Sequence, residues 1–326
     1  MAALRAAIVG AGLMGRWHAA YAARAGVRVA AVVDRDPAAG AALAGRFGAK
    51  AYPDLAGCLA AEPVEAVHVC TGLDSHAALA GAALAAGRHV MLEKPAARTV
   101  AETAGLLAAA ATADRRLAVV HQFPFQRGFR RLAAALPRLG RLVRVVYTTF
   151  TAGGEGRDGP GRRAVQAEIL PHPYSLLRAL PGFDPDRADW SVVRRTDDVL
   201  EIAGTSAAGV ALGVVIDLAG RPTRNELLVV GEAGSAVADL FHGYCVFEPG
   251  RVSRFDKILR PFRSGGRLLW AAGTNLLGRA VRREPAYPGL RELTAAFYRA
   301  VRTGGPSPTP PEEIAGAAAF ADRLLG

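Results

Sequence analysis

The first thirty-odd residues constrain this chain most. A short apolar run, Ala6–Val9, stops at Gly10-Ala11-Gly12-Leu13-Met14-Gly15, and a helix-like stretch opens near Leu13. A second apolar run, Val27–Val33, ends at Asp34, nineteen residues past Gly15. Three glycines in this spacing, between a strand and a helix, do separate jobs. Gly10 permits a tight turn. Gly12 lets the backbone approach a pyrophosphate resting on the positive end of the helix dipole, and Gly15 lets helix and strand pack closely. An acidic side chain about twenty positions on accepts hydrogen bonds from the adenine ribose. The spacing therefore predicts a dinucleotide-binding turn. The carboxylate of Asp34 repels a 2′-phosphate, so NAD is the expected cofactor. Arg35 keeps NADP open, because a guanidinium can stack on adenine or pair with that phosphate.

The alternation continues. Further strand-like runs lie at Ala66–Cys70, His89–Leu92 and Leu117–Val120, with helix starts near Pro37, Asp54, Ser75 and Thr99. Asp36 before Pro37, Asp74 or Ser75, and Thr99 with Glu102 three residues on are capping signals. Repeated strand–helix alternation predicts a doubly wound parallel sheet with helices on both faces. In "VHVCTGLDSHAALAGAALAAGRHVMLEKPAARTVAE" one strand ends at Cys70, His76 opens a helix, and the next strand ends at Glu93-Lys94-Pro95. Ligands of open α/β sheets bind at the carboxyl ends of the strands. Lys94 is therefore expected at the edge where a nicotinamide would lie, with Pro95 fixing the backbone that aims it.

Together "AIVGAGLMGRWHAA", "AVVDRDP", "HVCTGLDSH" and "AGRHVMLEKP" closely resemble the Gfo/Idh/MocA family of nicotinamide-dependent oxidoreductases. The likeness is nearly continuous over the first 120 residues. It is looser in the second half, at "LLVVGEAGSAVADL" and "ELTAAFYRAVRTGGPSPTPPEE". The resemblance implies an α/β Rossmann domain followed by an α+β domain with an open, largely antiparallel sheet. It also implies a homodimer or homotetramer formed through that sheet, acting on sugars, cyclitols and related hydroxy or keto compounds. Cofactor contacts are expected from Gly10, Gly12, Leu13, Met14, Gly15, Asp34, Arg35, Cys70, Thr71, His76, Glu93, Lys94 and Gln122. The family lysine, here Lys94, contacts the substrate oxygen, and a D-x-G-x-H pattern completes the site. This chain reads Glu168-Ile169-Leu170-Pro171-His172 there, and Thr71-Gly72 where Thr-Pro is usual. The first set of changes falls on the substrate side.

The 326 residues suggest two domains, taken as 1–121 and 122–326. A formal net charge of +11 raises the question of anionic partners. The arginines are scattered without zinc-finger or basic-region spacing, so no nucleic acid is expected. A small-molecule substrate, anionic or bulky, stays open. Cys58, Cys70 and Cys245 are isolated, the pattern of a reducing compartment. The opening run reads as a strand and not as a secretion signal. No stretch reaches the ~18 apolar residues of a membrane span. A cytoplasmic location is the expectation.

In the second half, strands are expected at Leu142–Thr149, Trp190–Arg195, Leu200–Thr205, Val210–Leu218, Glu226–Val230 and Ala236–Leu240, with a hairpin at Gly231-Glu232-Ala233-Gly234. The outer sheet face should be partly apolar and covered by a second subunit. Residues 152–163, "AGGEGRDGPGRR", read as a mobile loop. Its Arg157, Arg162 or Arg163 could meet an anionic group, or the loop is simply solvated. In residues 254–284 basic side chains interleave with Leu268, Leu269, Trp270, Leu276 and Leu277. That pattern fits a lid or a surface touching membrane, or a helix packed on the sheet or a partner subunit. The last helix, Pro311–Leu325, reads as packing.

Hydride transfer from a carbinol carbon needs a base for the hydroxyl proton and a group to steady the oxyanion. His172 is expected to move the proton, Lys94 to hold the oxygen, and Glu168 to orient His172 or bind a hydroxyl. Pro173 is expected to be the first helical residue, with His172 on the N-cap side. His121 and Gln122 are expected at the same sheet edge, and His18 and His89 as packing. No metal is expected, since Glu168 and His172 supply too few ligands. Two other activities stay open. One is elimination or glycoside cleavage through transient oxidation by retained NAD. The other is a non-enzymatic NAD-binding sensor or repressor.

Overall fold

A computed structural model describes residues 3–250 and 253–325. The chain opens with β1 (Arg5–Val9), α1 (Leu13–Arg24), β2 (Arg28–Val33), α2 (Pro37–Gly45), β3 (Lys50–Tyr52), α3 (Leu55–Ala61), β4 (Ala66–Val69), α4 (His76–Ala85), β5 (His89–Leu92), α5 (Val100–Thr112) and β6 (Leu117–Val119). It continues with α6 (Arg127–Ala135), β7 (Leu142–Phe150), α7 (Gly159–Ile169), α8 (Pro171–Ala179), β8 (Asp189–Arg195), β9 (Val199–Thr205), β10 (Ala211–Asp217), β11 (Arg224–Gly231), β12 (Gly234–Asp239) and β13 (Tyr244–Pro249). Three helices close it: α9 (Asp256–Arg282), α10 (Leu290–Thr303) and α11 (Pro311–Leu325). Contacts divide the chain into two units. The first runs to His121 and takes in Leu290–Asp322; the second holds Gln122–Gly289 and a short tail from Arg323.

The first unit is built on a six-stranded sheet in the order β3-β2-β1-β4-β5-β6, with every pairing parallel. The order reverses between β1 and β4, which opens a crevice at their carboxyl ends. Asp36 and Thr99 cap α2 and α5, and Thr99 with Glu102 forms a full capping box. Ala80 and Ala83 are fully buried beside Leu84, so two of the positions α4 turns into the core carry only a methyl group. The expected first domain ended at residue 121. The structure adds residues 290–322 to it. Phe297 and Tyr298 of α10 are fully buried, and Ile314 of α11 joins the core of the sheet's strands and helices. The segment between these helices guards β6, an edge strand. Ser307 Oγ donates to Leu117 O at 2.7 Å, Thr309 Oγ1 to Val119 O at 2.8 Å, and Arg116 Nε to Gly305 O at 2.6 Å. Covering a strand edge removes a template for pairing with another chain.

The second unit is a seven-stranded sheet ordered β13-β12-β11-β7-β10-β9-β8. β7 and β10 pair in parallel, and the other neighbours are antiparallel. The expected hairpin forms, with Gly231 opposite Gly234 and Glu232-Ala233 between them. Side chains alternate along β10, with Leu212, Val214 and Ile216 buried and Ala211, Gly213 and Val215 half-buried. The half-buried face also carries Val146, Leu228 and Val237.

Two strands were not expected. β3 has three residues, too few for a periodic signal. β13 is half-exposed at nearly every position, so its sequence shows no two-residue alternation. The segment 152–163 is not a loop throughout. From Gly159 it is the start of α7, where the Asp158 carboxylate accepts from Gly161 N at 2.8 Å and Pro160 sits in the first turn. Arg162 and Arg163 there pair with Asp198 and Asp197.

Phe297→Ala is expected to destabilise the protein by about 3–5 kcal/mol in urea unfolding, since the ring is fully buried against His68. Phe255→Ala, at an exposed position, should stay within about 0.5 kcal/mol.

Candidate functional site

The carboxyl edge of the first sheet gathers most of the expected residues. Gly10 leaves β1 at φ +96°, a conformation that side chains rarely adopt. A Cβ on Gly10 would come 2.8 Å from the Cys70 carbonyl oxygen, and one on Gly15 would reach 1.8 Å from the Gly10 oxygen. These two glycines are fixed by packing. Gly12 is different, because a Cβ there meets nothing within 4 Å. Its openness leaves room for a ligand at the N-terminus of α1, whose first turn holds no acidic residue. Leu13 is exposed and Met14 half-buried at that helix start. An anionic pyrophosphate fits these features.

Asp34 closes the turn from β2. Its carboxylate accepts from Ala11 N at 2.6 Å and from Asp36 N at 2.9 Å. A carboxylate has about four lone-pair sites, so acceptor capacity remains for a ribose hydroxyl. Arg35 is exposed beside it.

At the end of β4, Cys70 is half-buried. Desolvation, with the nearby charge of Glu93, pushes its thiol well above the usual range and keeps it protonated. Thr71 Oγ1 lies 2.7 Å from Ser75 Oγ, which donates to Gly72 O at 2.9 Å. His76 opens α4 with one ring nitrogen 2.8 Å from Pro95 O and the other 3.1 Å from Thr71 O. The imidazole thus spans the turns that follow β4 and β5.

Glu93, Lys94 and Pro95 follow β5, and the Lys94–Pro95 peptide is cis. Glu93 is nearly buried. Its Oε2 accepts from Lys94 N at 3.3 Å, and its Oε1 lies 3.0 Å from His18 Nε2. Behind it the chain of contacts goes on: His18 Nδ1 to His68 Nδ1 at 2.9 Å, and His68 Nε2 to the Tyr298 hydroxyl at 2.5 Å. The four groups form one continuous hydrogen-bonded chain in which each imidazole uses both ring nitrogens. Burial, and the neighbouring His18, hold His68 well below the usual histidine range, which keeps it neutral. His18 was expected to be packing and is instead a hydrogen-bonding member. His68 and Tyr298 were missed altogether. The one local signal was a histidine inside the apolar strand Ala66–Val69. His121, at the end of the first segment, pairs with Glu313 of α11 at 2.7 Å.

Gln122, Glu168 and His172 belong to the second unit. Gln122 precedes a short 3-10 turn, Phe123–Phe125, and its carbonyl accepts from Phe125 N at 3.0 Å. Pro171, not Pro173, is the first residue of α8, so His172 lies inside the first turn and not at its N-cap. Both prolines fit there because first-turn N–H groups have no partner within the helix. Leu170, between α7 and α8, keeps right-handed helical dihedrals. Glu168 therefore sits one turn before His172 on the same side of the helical run. The His172 ring is buried against Phe123, with ring centroids 4.3 Å apart, and Ser175 Oγ donates to the His172 carbonyl at 3.0 Å. Among the described residues, no group of three or more His, Cys, Asp or Glu could hold a metal ion.

Comparison with known proteins bears on this arrangement. Residues 4–121 match the family model described as "Oxidoreductase family, NAD-binding Rossmann fold". The chain is 28% identical over 186 residues to the inositol 2-dehydrogenase of Rhizobium meliloti (strain 1021), 56% of each chain. It is 33% identical over 119 residues to the UDP-N-acetylglucosamine 3-dehydrogenase of Acidithiobacillus ferrooxidans, 36% of this chain and 37% of that one. The chain thus spans about half the length or less of these curated relatives. Among solved structures, GenD2 from gentamicin A biosynthesis in complex with NAD superimposes with a TM-score of 0.73 at 22% identity. That match covers 99% of this chain and 93% of the other, and it shows a shared fold.

Tyr298→Phe removes the hydroxyl that partners His68 Nε2. It is expected to cost about 1–3 kcal/mol in urea unfolding, the penalty of an unsatisfied buried polar atom. His68 is neutral when folded but titrates near 6.5 when unfolded, and His89 behaves alike, lowered to about 4 chiefly by burial. Below pH 6.5 the unfolded chain therefore binds more protons, so stability should fall with pH from 6.5 towards about 4. Urea titrations at about pH 7.5 and about pH 5.5 read this directly, and equal stabilities would contradict it.

Proposed function

We propose that this chain, whose residues 4–121 match the Gfo/Idh/MocA oxidoreductase family model, is an NAD-dependent dehydrogenase of a sugar or cyclitol. One observation carries the reading. On a single sheet edge, the open turn at Gly12 stands with a Lys94 whose flanking residues are clamped from two sides, by His18 on Glu93 and by His76 on Pro95. A lysine whose neighbours in the chain are held this way suits a fixed point of charge.

NAD, when bound, supplies the hydride acceptor. Gly10, Gly12 and Gly15 would receive its pyrophosphate, and Asp34 its ribose hydroxyls. Lys94 steadies the substrate oxygen as negative charge grows on it. His172 takes the hydroxyl proton in the oxidising direction and returns it in the reverse. Glu168, one turn earlier, orients His172 or binds a neighbouring hydroxyl. The named activities of the inositol and UDP-N-acetylglucosamine dehydrogenases support a polyhydroxylated substrate. The half-buried apolar face of the second sheet supports a homo-oligomer formed through it. The reaction belongs to the cytoplasm, where free NAD and a reducing milieu suit three unpaired thiols.

Sugars and cyclitols screened against the purified protein with NAD should produce the NADH absorbance band with at least one of them. Lys94→Ala and His172→Ala should each lower kcat by about 10²–10⁴-fold while calorimetry shows NAD still bound. Wild-type turnover in either variant would remove that residue from its role.

A further inference from the structure

The long helix α9 turns a wide apolar face outward. Phe262 and Trp270 are 77% and 75% exposed, and Ile258, Leu269, Leu276 and Val281 are comparably bare. Ile258, Phe262, Leu269 and Leu276 recur at helical spacing and form one stripe, with Trp270 and Val281 along its flank. The opposite side holds the helix to its own unit. Ala271 is buried there. Arg267 pairs with Glu248 of β13 at 2.6 Å, and Asn275 and Arg279 each donate to the His242 carbonyl at 2.9 Å. The helix is therefore a fixed ledge, about 40 Å long at 1.5 Å per residue, and its apolar stripe faces away from the fold beneath.

Charge says what could cover the stripe. From Asp256 to Arg283 the basic residues are Lys257, Arg260, Arg263, Arg267, Arg279, Arg282 and Arg283, and the acidic one is Asp256. Arg263 pairs with Asp256, Arg267 with Glu248 and Arg282 with Glu284, and the helix stays net basic. Both ends of the helix are basic. A second copy laid against it, parallel or antiparallel, would bring cations against cations. An anionic surface would not. Large aromatic and leucine side chains on one face, with basic residues on the rest of the helix, are the pattern of a helix lying in the plane of a membrane interface. Among the described residues no helix is long and apolar enough to cross a membrane, so the contact is with the surface.

We propose that α9 docks this protein in plane on an anionic lipid bilayer, its apolar stripe entering the boundary between headgroups and acyl chains. Basic residues near the surface add attraction to acidic headgroups, which salt screens. The inference stands apart from the proposed dehydrogenase activity.

The test is cosedimentation of the full-length protein with vesicles of mixed phosphatidylglycerol and phosphatidylcholine, and with vesicles of phosphatidylcholine alone. Binding to the anionic vesicles should be at least about tenfold tighter and should weaken with salt. Leu269→Glu combined with Trp270→Glu should weaken it at least about tenfold, with the melting temperature and NAD binding unchanged, because both positions are exposed. Three results would overturn the proposal. One is no binding to anionic vesicles. A second is equal binding by the double variant. The third is sedimentation velocity showing that the double variant breaks up an oligomer that the wild type forms, which would make a second copy the occupant.

Discussion

A carboxylate sunk at the end of a strand must be given hydrogen bonds or it will not stay there. Glu93 is given them by His18, and the demand passes backward through His68 to the hydroxyl of Tyr298. Each link belongs to a different element: the turn after β5, then α1, β4 and α10. The chain is continuous from the carboxylate to the hydroxyl. It fixes the residue next to Lys94 and locates α1, the helix whose start forms the dinucleotide turn. Such a network is worth having only when complete, since any missing partner leaves a buried polar group bare.

The second unit meets a different constraint. Its segment around His172 begins a helix with one proline on either side of the histidine. In the interior of a helix this would be ruinous. In the first turn it is harmless, and it limits the backbone freedom of the histidine between. The Gly231–Gly234 hairpin shows the same economy, because a Cβ on Gly231 would lie 2.3 Å from the Leu139 carbonyl oxygen.

Much of the first unit was legible because its signals are local. The glycine turn, Asp34, the Thr99–Glu102 capping box and the Glu93-Lys94-Pro95 strand end all announce themselves within a few residues. What was hidden depends on distance along the chain. His68 and Tyr298 are 230 residues apart, and no periodicity joins them. β13 was hidden because its half-exposed positions do not alternate, and the start of α7 because glycines masked the cap at Asp158. The His172 turn was misread by two residues, because either proline is a good first helical residue. For α9 the periodicity was visible, but a pattern reports two faces without saying which one the fold covers.

The first unit is written in two pieces, with the second unit between them. Synthesis runs in one direction, so the ribosome delivers all of β1 to β6 long before α10 appears. Through that interval His68 lacks its tyrosine, and the edge of β6 lacks the serine and threonine that later cover it. An uncovered parallel edge is where nascent chains stick to one another. Residues 290–322 are thus a closure applied after both sheets have been made, and their arrival ends the period in which the edge of β6 is most exposed to misassembly.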